Sequence, residues 1–287
     1  MAIRPKTLPA AIAPVLIGTA MAYGNGVEHF PSAIAALLGA LAIQVATNLA
    51  NDYFDFKKGA DTKERVGPTR VTAAGLVSPR AMQAAMIITF SLAAVISIYL
   101  IARAGWPIAV VGALSILSGF FYSAGPGPLG YLGLGEPFVL IFFGPVAVGG
   151  TYYVQAMELN WAAVAAGLAP GFLSVAILCV NNLRDIEGDR RAGKKTLAVR
   201  FGASFARLEY LFSIAAAGLI PAVIFLMTQE APWSLLSCGI VFWATPEIKT
   251  MFTKNDGALL NGVLARTGKL LMLYSVLFSI GWIVWTF

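Results

Sequence analysis

The feature that most constrains this chain is a series of windows of 17 or more residues almost free of charge, recurring along its whole length. Crossing the ~30 Å hydrocarbon core of a bilayer takes a helix of about 20 predominantly apolar residues. Composition agrees, with 58% of the 287 residues apolar and 12% charged. A soluble domain is closer to about 45–50% and 25%. The expectation is an all-α polytopic membrane protein, one transmembrane domain over residues 1–287, with nine spans near 8–24, 32–54, 80–102, 106–123, 136–154, 161–183, 206–228, 232–248 and 267–286. The opening MAIRPKTLPA has the charge of a signal peptide. Its apolar run continues past Lys6 to Tyr23 and merges with the general pattern, so it is read as a retained first span.

The net charge of +6 is less informative than its placement. Nineteen of the 20 Lys and Arg residues fall in alternate connecting segments, and only Arg103 lies outside them. By the positive-inside rule the N-terminus is cytoplasmic and the C-terminus outside. Charge placed this way serves topology and gives no reason to expect nucleic acid. Cys179 and Cys238 lie in separate apolar spans and read as small buried hydrophobes. The one histidine, His29, falls in a short outer loop as a solvated residue.

Two spans end in an unexpected way. The second closes NDYFDFKKGAD, residues 51–61, and the sixth closes NNLRDIEGDRRAGKK, residues 181–195. Asn51 and Asp55 are four apart, as are Asp185 and Asp189, so each pair shares one helical face. Carboxylates at a helix C-terminus oppose the dipole by about 0.3–1 kcal/mol each. Near a membrane their desolvation costs more. Something positive must offset them, either the adjacent lysines and arginines or a divalent cation. The same arrangement on two non-adjacent spans favours the cation. Carboxylate and amide oxygens are hard ligands suited to magnesium, which commonly binds a substrate phosphate at the same time. The pattern therefore reads as a seat for a magnesium-bound diphosphate, with Lys and Arg neutralising the remainder.

These residues resemble the UbiA-type superfamily of intramembrane aromatic prenyltransferases, whose motifs read NxxxDxxxD and DxxxD. Asn51 and Asp55 match the first two positions, and Asp185 with Asp189 match the second motif in full. The third position of the first motif falls on Gly59, with Asp61 two residues late. Within the superfamily, RPKTLPAAIAPVLIGTA, NDYFDFKKGADTKERVGPTRVTAAGLVS, GPLGYLGLGEPFVLIFFGPVAVGGTYYVQ and NNLRDIEGDRRAGKKTLAVRFG are most similar to the 1,4-dihydroxy-2-naphthoate prenyltransferase branch. The resemblance implies magnesium-dependent transfer of a polyprenyl group from its diphosphate to the naphthoate ring, with loss of the ring carboxylate, giving demethylmenaquinone. It implies magnesium on Asn51, Asp55, Asp185 and Asp189, with Asp52 and Asp61 as further ligands. Lys57, Arg65, Arg70, Lys194 and Lys195 are the candidate diphosphate contacts. Catalysis is expected to rest on Asp55, Asp185, Lys57 and Arg70. Alanine at Asp55 or Asp185 is expected to abolish turnover with the fold intact. The implied location is a bacterial cytoplasmic membrane, with the site facing the cytoplasm.

The third inner loop, SAGPGPLGYLGLGE, has no basic residue. Its Gly125, Gly127 and Gly130 satisfy GxGxxG, but no strand precedes them, and Pro126 and Pro128 lack the backbone donors a dinucleotide phosphate needs. Tyr122, Tyr131 and Glu136 are instead candidates for the aromatic acceptor pocket. Spans three, seven and nine carry no polar cluster and are expected to wall the isoprenoid tail. Other acceptors, among them 4-hydroxybenzoate, homogentisate and haem, remain open. A transporter would place its acids near the midplane rather than at one face.

Overall fold

The structure, a computed structural model, describes residues 2–60, 67, 70–254 and 256–286. Among the described residues every regular element is helical. A 3-10 turn at Pro5–Thr7 leads into α1 (Pro9–Gly24), followed by α2 (Phe30–Lys57), α3 (Pro79–Ala104) and α4 (Trp106–Phe121). An interrupted pair, α5 (Gly135–Phe142) and α6 (Pro145–Ala156), precedes α7 (Trp161–Ala166), α8 (Leu168–Arg191) and the short α9 (Leu197–Phe201). The chain ends with α10 (Ala203–Thr228), α11 (Ile240–Trp243), α12 (Thr245–Thr253) and α13 (Gly257–Trp285).

Local chemistry sets these boundaries. Ser78 caps α3 by accepting from the Ala81 N–H at 3.2 Å, with Pro79 at the first helical position, where a missing N–H costs nothing. Asp256 caps α13 through the N–H groups of Ala258 and Leu259, at 2.7 and 3.1 Å. His29 caps α2 and so has a structural role: its Nδ1 accepts from the Ser32 N–H at 3.3 Å. Cys179 and Cys238 are free thiols.

Among the described residues, seven helical segments are long and apolar enough to span a bilayer, which makes this an integral membrane protein. An eighth, α4, has 16 residues, about 24 Å of helix. The expected span 232–248 is not one helix. It forms a 3-10 stretch at Pro232–Gly239 and then α11 and α12. Pro232 and Pro246 each open a new piece, and Gly239 separates two of them, so no continuous ladder forms. The last helix also starts ten residues earlier than expected, at Gly257.

The main core joins α1, α6, α8, α10 and α13 around Ile17, Met21, Leu173, Tyr210, Tyr274 and Phe278, all essentially unexposed. A second cluster joins α2 to α3, where Leu49, Met82 and Met86 pack with Val71. The outward faces of α3 and α4 carry exposed apolar side chains such as Ile88, Val95 and Leu114, as lipid-facing helices do. The break between α5 and α6 is fixed against α8. A Cβ on Gly144 would sit 2.7 Å from the Gly167 carbonyl oxygen, and one on Gly171 would sit 2.5 Å from that of Leu140. Only glycine permits so close a backbone crossing.

Candidate active site

The first half of the site is built on a polar stripe of α2. Gln44, Asn48 and Asn51 recur at i, i+4 and i+7 on an otherwise apolar helix. Gln44 Nε2 donates to Thr7 Oγ1 at 3.1 Å, and Asn48 Nδ2 donates to the Ile3 carbonyl at 2.9 Å. These bonds strap the N-terminal segment along the helix. They place Arg4, whose backbone has φ 51°, so that Nη2 donates to Asn51 Oδ1 at 2.5 Å. A left-handed non-glycine residue costs conformational energy, which the strap maintains here. One turn further on, Asp55 is fully buried. Its Oδ2 accepts from Arg70 Nη2 at 3.0 Å, Lys194 Nζ at 3.2 Å and Asn51 Nδ2 at 3.2 Å. Its Oδ1 accepts from the Tyr131 hydroxyl at 3.0 Å.

The second half lies on α8, where Ser174, Leu178, Asn181, Asp185 and Asp189 line one face of a cavity. Arg184 grips Asp185 in a fork, Nε to Oδ1 at 2.8 Å and Nη2 to Oδ2 at 2.6 Å. The same guanidinium donates to Asn181 Oδ1 at 2.6 Å and to Asn261 Oδ1 of α13 at 2.7 Å. A carboxylate oxygen can accept more than one bond, so this grip fixes the direction of Asp185 toward the cavity it lines. Lys194 connects the halves, reaching Asp55 as above and Asp189 Oδ1 at 3.5 Å.

Loop 122–134 lies between them. The Tyr131 carbonyl accepts from the Lys195 N–H at 2.8 Å, and the Leu132 carbonyl accepts from Arg200 Nη2 at 2.7 Å, so this loop is tied to the one after α8. The Tyr131 ring carries Lys58 Nζ at 4.5 Å and Lys194 Nζ at 5.0 Å from its centroid, both within cation–π range. Tyr131 therefore belongs to the charged end of the site. Tyr122 and Glu136 line the cavity below it, and Glu136 Oε1 accepts from Asn182 Nδ2 at 2.9 Å. Burial, followed by the charges of Glu136, Asp189 and Asp55, raises the Tyr122 hydroxyl above its ordinary value, so it stays protonated.

Asn51, Asp55, Arg70, Asp185, Asp189 and Lys194 thus converge as the sequence suggested. Three other residues do not. Asp52 is buried away from the cavity, and its two oxygens accept the Val71 and Thr72 N–H groups at 3.2 and 3.1 Å. It anchors the returning chain, because it lies one position, or 100°, around α2 from Asn51. Lys57 is exposed outside the cavity lining. It sits two positions from Asp55, on the far side of the helix. Its neighbour Lys58, three positions on, is likewise exposed and outside the lining, but it turns toward Tyr131 and donates to the Ser123 carbonyl at 2.9 Å. Partial burial lowers the Lys58 ammonium, with the Asp55 charge acting the other way. Lys195 is exposed and contributes through its backbone. Asp61 and Arg65 lie outside the described residues. Gly59 is in a left-handed turn past the end of α2, with φ 67°, so the third motif position leaves the helix face.

Two outcomes follow from this geometry. Lys57→Ala is expected to leave steady-state kinetics near wild type, whereas Lys58→Ala raises the apparent KM for a prenyl diphosphate about tenfold, as loss of one charge-assisted contact would. Tyr131→Phe removes one hydrogen bond to a charged carboxylate, worth about 1.5–3 kcal/mol, and kcat/KM should fall by roughly one to two orders of magnitude.

Charged side chains ring the mouth of a cavity of about 360 Å³ whose interior is largely apolar. Its walls come mainly from α1, α2, α4, α5, α6 and α8. Contrary to the sequence expectation, α10 contributes nothing, α3 only Ser97 and Leu100, and α13 only Leu264. Among the described residues no three acidic or other metal-binding side chains gather closely enough to enclose an ion unaided. Magnesium typically binds one or two carboxylates and completes its shell with water and phosphate oxygens. The hard oxygens of Asn51, Asp55, Asp185 and Asp189, set among cations on two helices, fit that habit.

An all-helical membrane bundle with paired Asn/Asp and Asp/Asp clusters over an apolar cavity defines a class of intramembrane transferase. The residue pattern of the UbiA prenyltransferase family matches residues 11–261, and the chain belongs to that family. It is 39% identical over 274 residues to the 1,4-dihydroxy-2-naphthoate octaprenyltransferase of Mycobacterium tuberculosis, covering 95% of this chain and 92% of that protein. The enzyme of the same name from Escherichia coli is 36% identical over 287 residues, 97% and 92% of the two chains. The solved structure of a UbiA homolog from Archaeoglobus fulgidus, bound to DMAPP and Mg2+, has the same fold at a TM-score of 0.66. It is 19% identical and covers 98% of this chain and 97% of that one.

Proposed function

We propose that this chain transfers a polyprenyl group from its diphosphate to 1,4-dihydroxy-2-naphthoate, with the acceptor carboxylate lost as carbon dioxide, giving demethylmenaquinone in its reduced, quinol form and diphosphate. The observation that carries this reading is the convergence of two acidic motifs and their cations on the mouth of one apolar cavity. The names of its relatives support the choice of acceptor. Asn51, Asp55, Asp185 and Asp189 would hold magnesium, which when bound neutralises the diphosphate and eases departure of that group. Arg4, Arg70, Lys58 and Lys194 are placed to take the remaining phosphate charge, where charge develops as the allylic carbon–oxygen bond breaks. The apolar interior shields the allylic carbon from water, and Tyr122 and Glu136 face the space where an electron-rich ring would approach it. The acidic end is read as the cytoplasmic face of a bacterial inner membrane, and residues 1–287 as one functional unit.

The test is a competition. Purified protein is given geranylgeranyl diphosphate with equal 1,4-dihydroxy-2-naphthoate and 4-hydroxybenzoate, with magnesium or EDTA, and products are identified by mass. A magnesium-dependent prenylated naphthalenediol lacking the carboxylate is expected. A prenylated benzoate would overturn the acceptor, and product formed equally in EDTA would overturn the metal.

A further inference from the structure

The cavity does not end beneath its charged mouth. Its lining follows α2 from Asn51 to Ala36, about 22 Å of helix. On the far side of the α4–α6 seam lies a second cavity of about 330 Å³, lined by Pro107, Tyr153, Leu159 and Val164 among others. The two share Ile108 and Val111 of α4 and Val146 and Gly150 of α6, so one thin wall separates them. The second cavity reaches the protein surface, since Leu159, in the connection from α6 to α7, is 52% exposed.

Gly150 is the unusual part of that wall. Its neighbour Gly149 is explained by packing, because a Cβ there would lie 2.9 Å from Val164 Cγ2. The other glycines along the main cavity also meet a neighbour within 4 Å of such a Cβ, for example Thr47 Oγ1 at 2.5 Å for Gly119 and Ser97 Oγ at 3.4 Å for Gly112. At Gly150 nothing lies within 4 Å. It sits inside α6, with a φ outside the left-handed region. Neither packing nor backbone geometry calls for glycine at this point, yet glycine in a helix interior is destabilising relative to alanine. What glycine provides here is open space between two apolar cavities.

We propose that the isoprenoid tail of the donor leaves the main cavity over Gly150, passing between α4 and α6 into lipid, and that Gly150 determines the longest tail the protein accepts. This rests on the prenyl-donor reading above. With the diphosphate held at the mouth, a short tail ends inside the main cavity, and a tail longer than that cavity has the shared wall as its way out. The lining at the junction is wholly apolar, as an isoprenoid requires.

The experiment compares the full chain with Gly150→Phe, with Val111→Phe from the facing helix, and with Val95→Phe on the exposed face of α3 as control. Each is given geranyl or octaprenyl diphosphate with magnesium and the naphthoate acceptor. In the two seam variants, kcat/KM for octaprenyl diphosphate should fall roughly tenfold or more while that for geranyl diphosphate stays within about twofold, as a steric block in an apolar channel predicts. The control should behave as wild type with both donors. Equal loss on both donors, or loss on neither, overturns the proposal. A second readout needs no turnover: a geranylgeranyl diphosphate analogue with a terminal benzophenone should label α4 and α6 in the wild-type protein, and octaprenyl diphosphate should displace it. Label elsewhere, or label that octaprenyl diphosphate leaves in place, as a resident lipid channel would give, also overturns the proposal. A wild-type protein that prenylates no acceptor would overturn the proposed function, and the labelling would still decide the path.

Discussion

Asp55→Ala is expected to abolish turnover and also to lower the stability of the bundle. The carboxylate is fully buried and accepts from Arg70, Lys194, Asn51 and Tyr131. Removing it takes a charge partner from the Arg70 guanidinium, itself only 5% exposed. Breaking a buried pair from one side costs about 3–5 kcal/mol. The sequence alone suggested an intact fold, and the burial of Asp55 changes that expectation. Asp55→Asn is the informative companion: it keeps the shape and part of the hydrogen bonding while removing the charge that faces Arg70 and Lys194. Thermal unfolding in detergent, read beside turnover, should show the alanine variant losing both properties and the asparagine variant losing mainly turnover. An alanine variant with wild-type activity would remove Asp55 from the site.

Arg184→Met should have an effect of similar size for a different reason. Arg184 is 1% exposed and holds Asp185 by two bonds, Asn181 by a third and Asn261 of α13 by a fourth. Methionine fills much of the same volume and supplies none of them, so Asp185 loses the fork that aims it. The expected result is a kcat/KM lower by about two orders of magnitude, the scale for losing one preorganised electrostatic element. A weaker apparent magnesium affinity should accompany it. Arg184→Lys should recover little, because an ammonium cannot reproduce the planar fork. Turnover and magnesium titration near wild type in the methionine variant would show that Asp185 aims itself.

The motif residues were legible because helical periodicity is local: a spacing of four puts Asn51 with Asp55, and Asp185 with Asp189, before any fold is known. The same rule separates Lys57 from Lys58, but applying it requires knowing that α2 continues through residue 57 instead of fraying after Asp55. Arg4 and Arg184 were counted only as topology-setting charge. The clue to Arg4 was the polar stripe Gln44, Asn48, Asn51, which no lipid-facing helix would carry without a partner. Arg184 gave no such sign, since its partners Asn181 and Asn261 lie 80 residues apart in the chain. The hydropathy that located the long spans also marked 232–248 as a further continuous helix. Average hydropathy takes no account of backbone donors, so the breaks at Pro232, Gly239 and Pro246 were outside what it measures.

The crossing of Gly144 with Gly167 and Gly171 bears on how such a chain can diversify. Glu136, one helix before that crossing, and Asn182, three turns beyond it on α8, meet because the two backbones touch with no side chain between them. Mutation can only force these jaws apart and spoil their grip; no substitution sets them to another useful width. A lineage that came to take a larger or smaller ring would have to record the change on the opposing wall, in the loop from Tyr122 to Leu134, whose Tyr122 and Tyr131 side chains border the cavity. Ring size and tail length would then evolve on separate surfaces of one cavity.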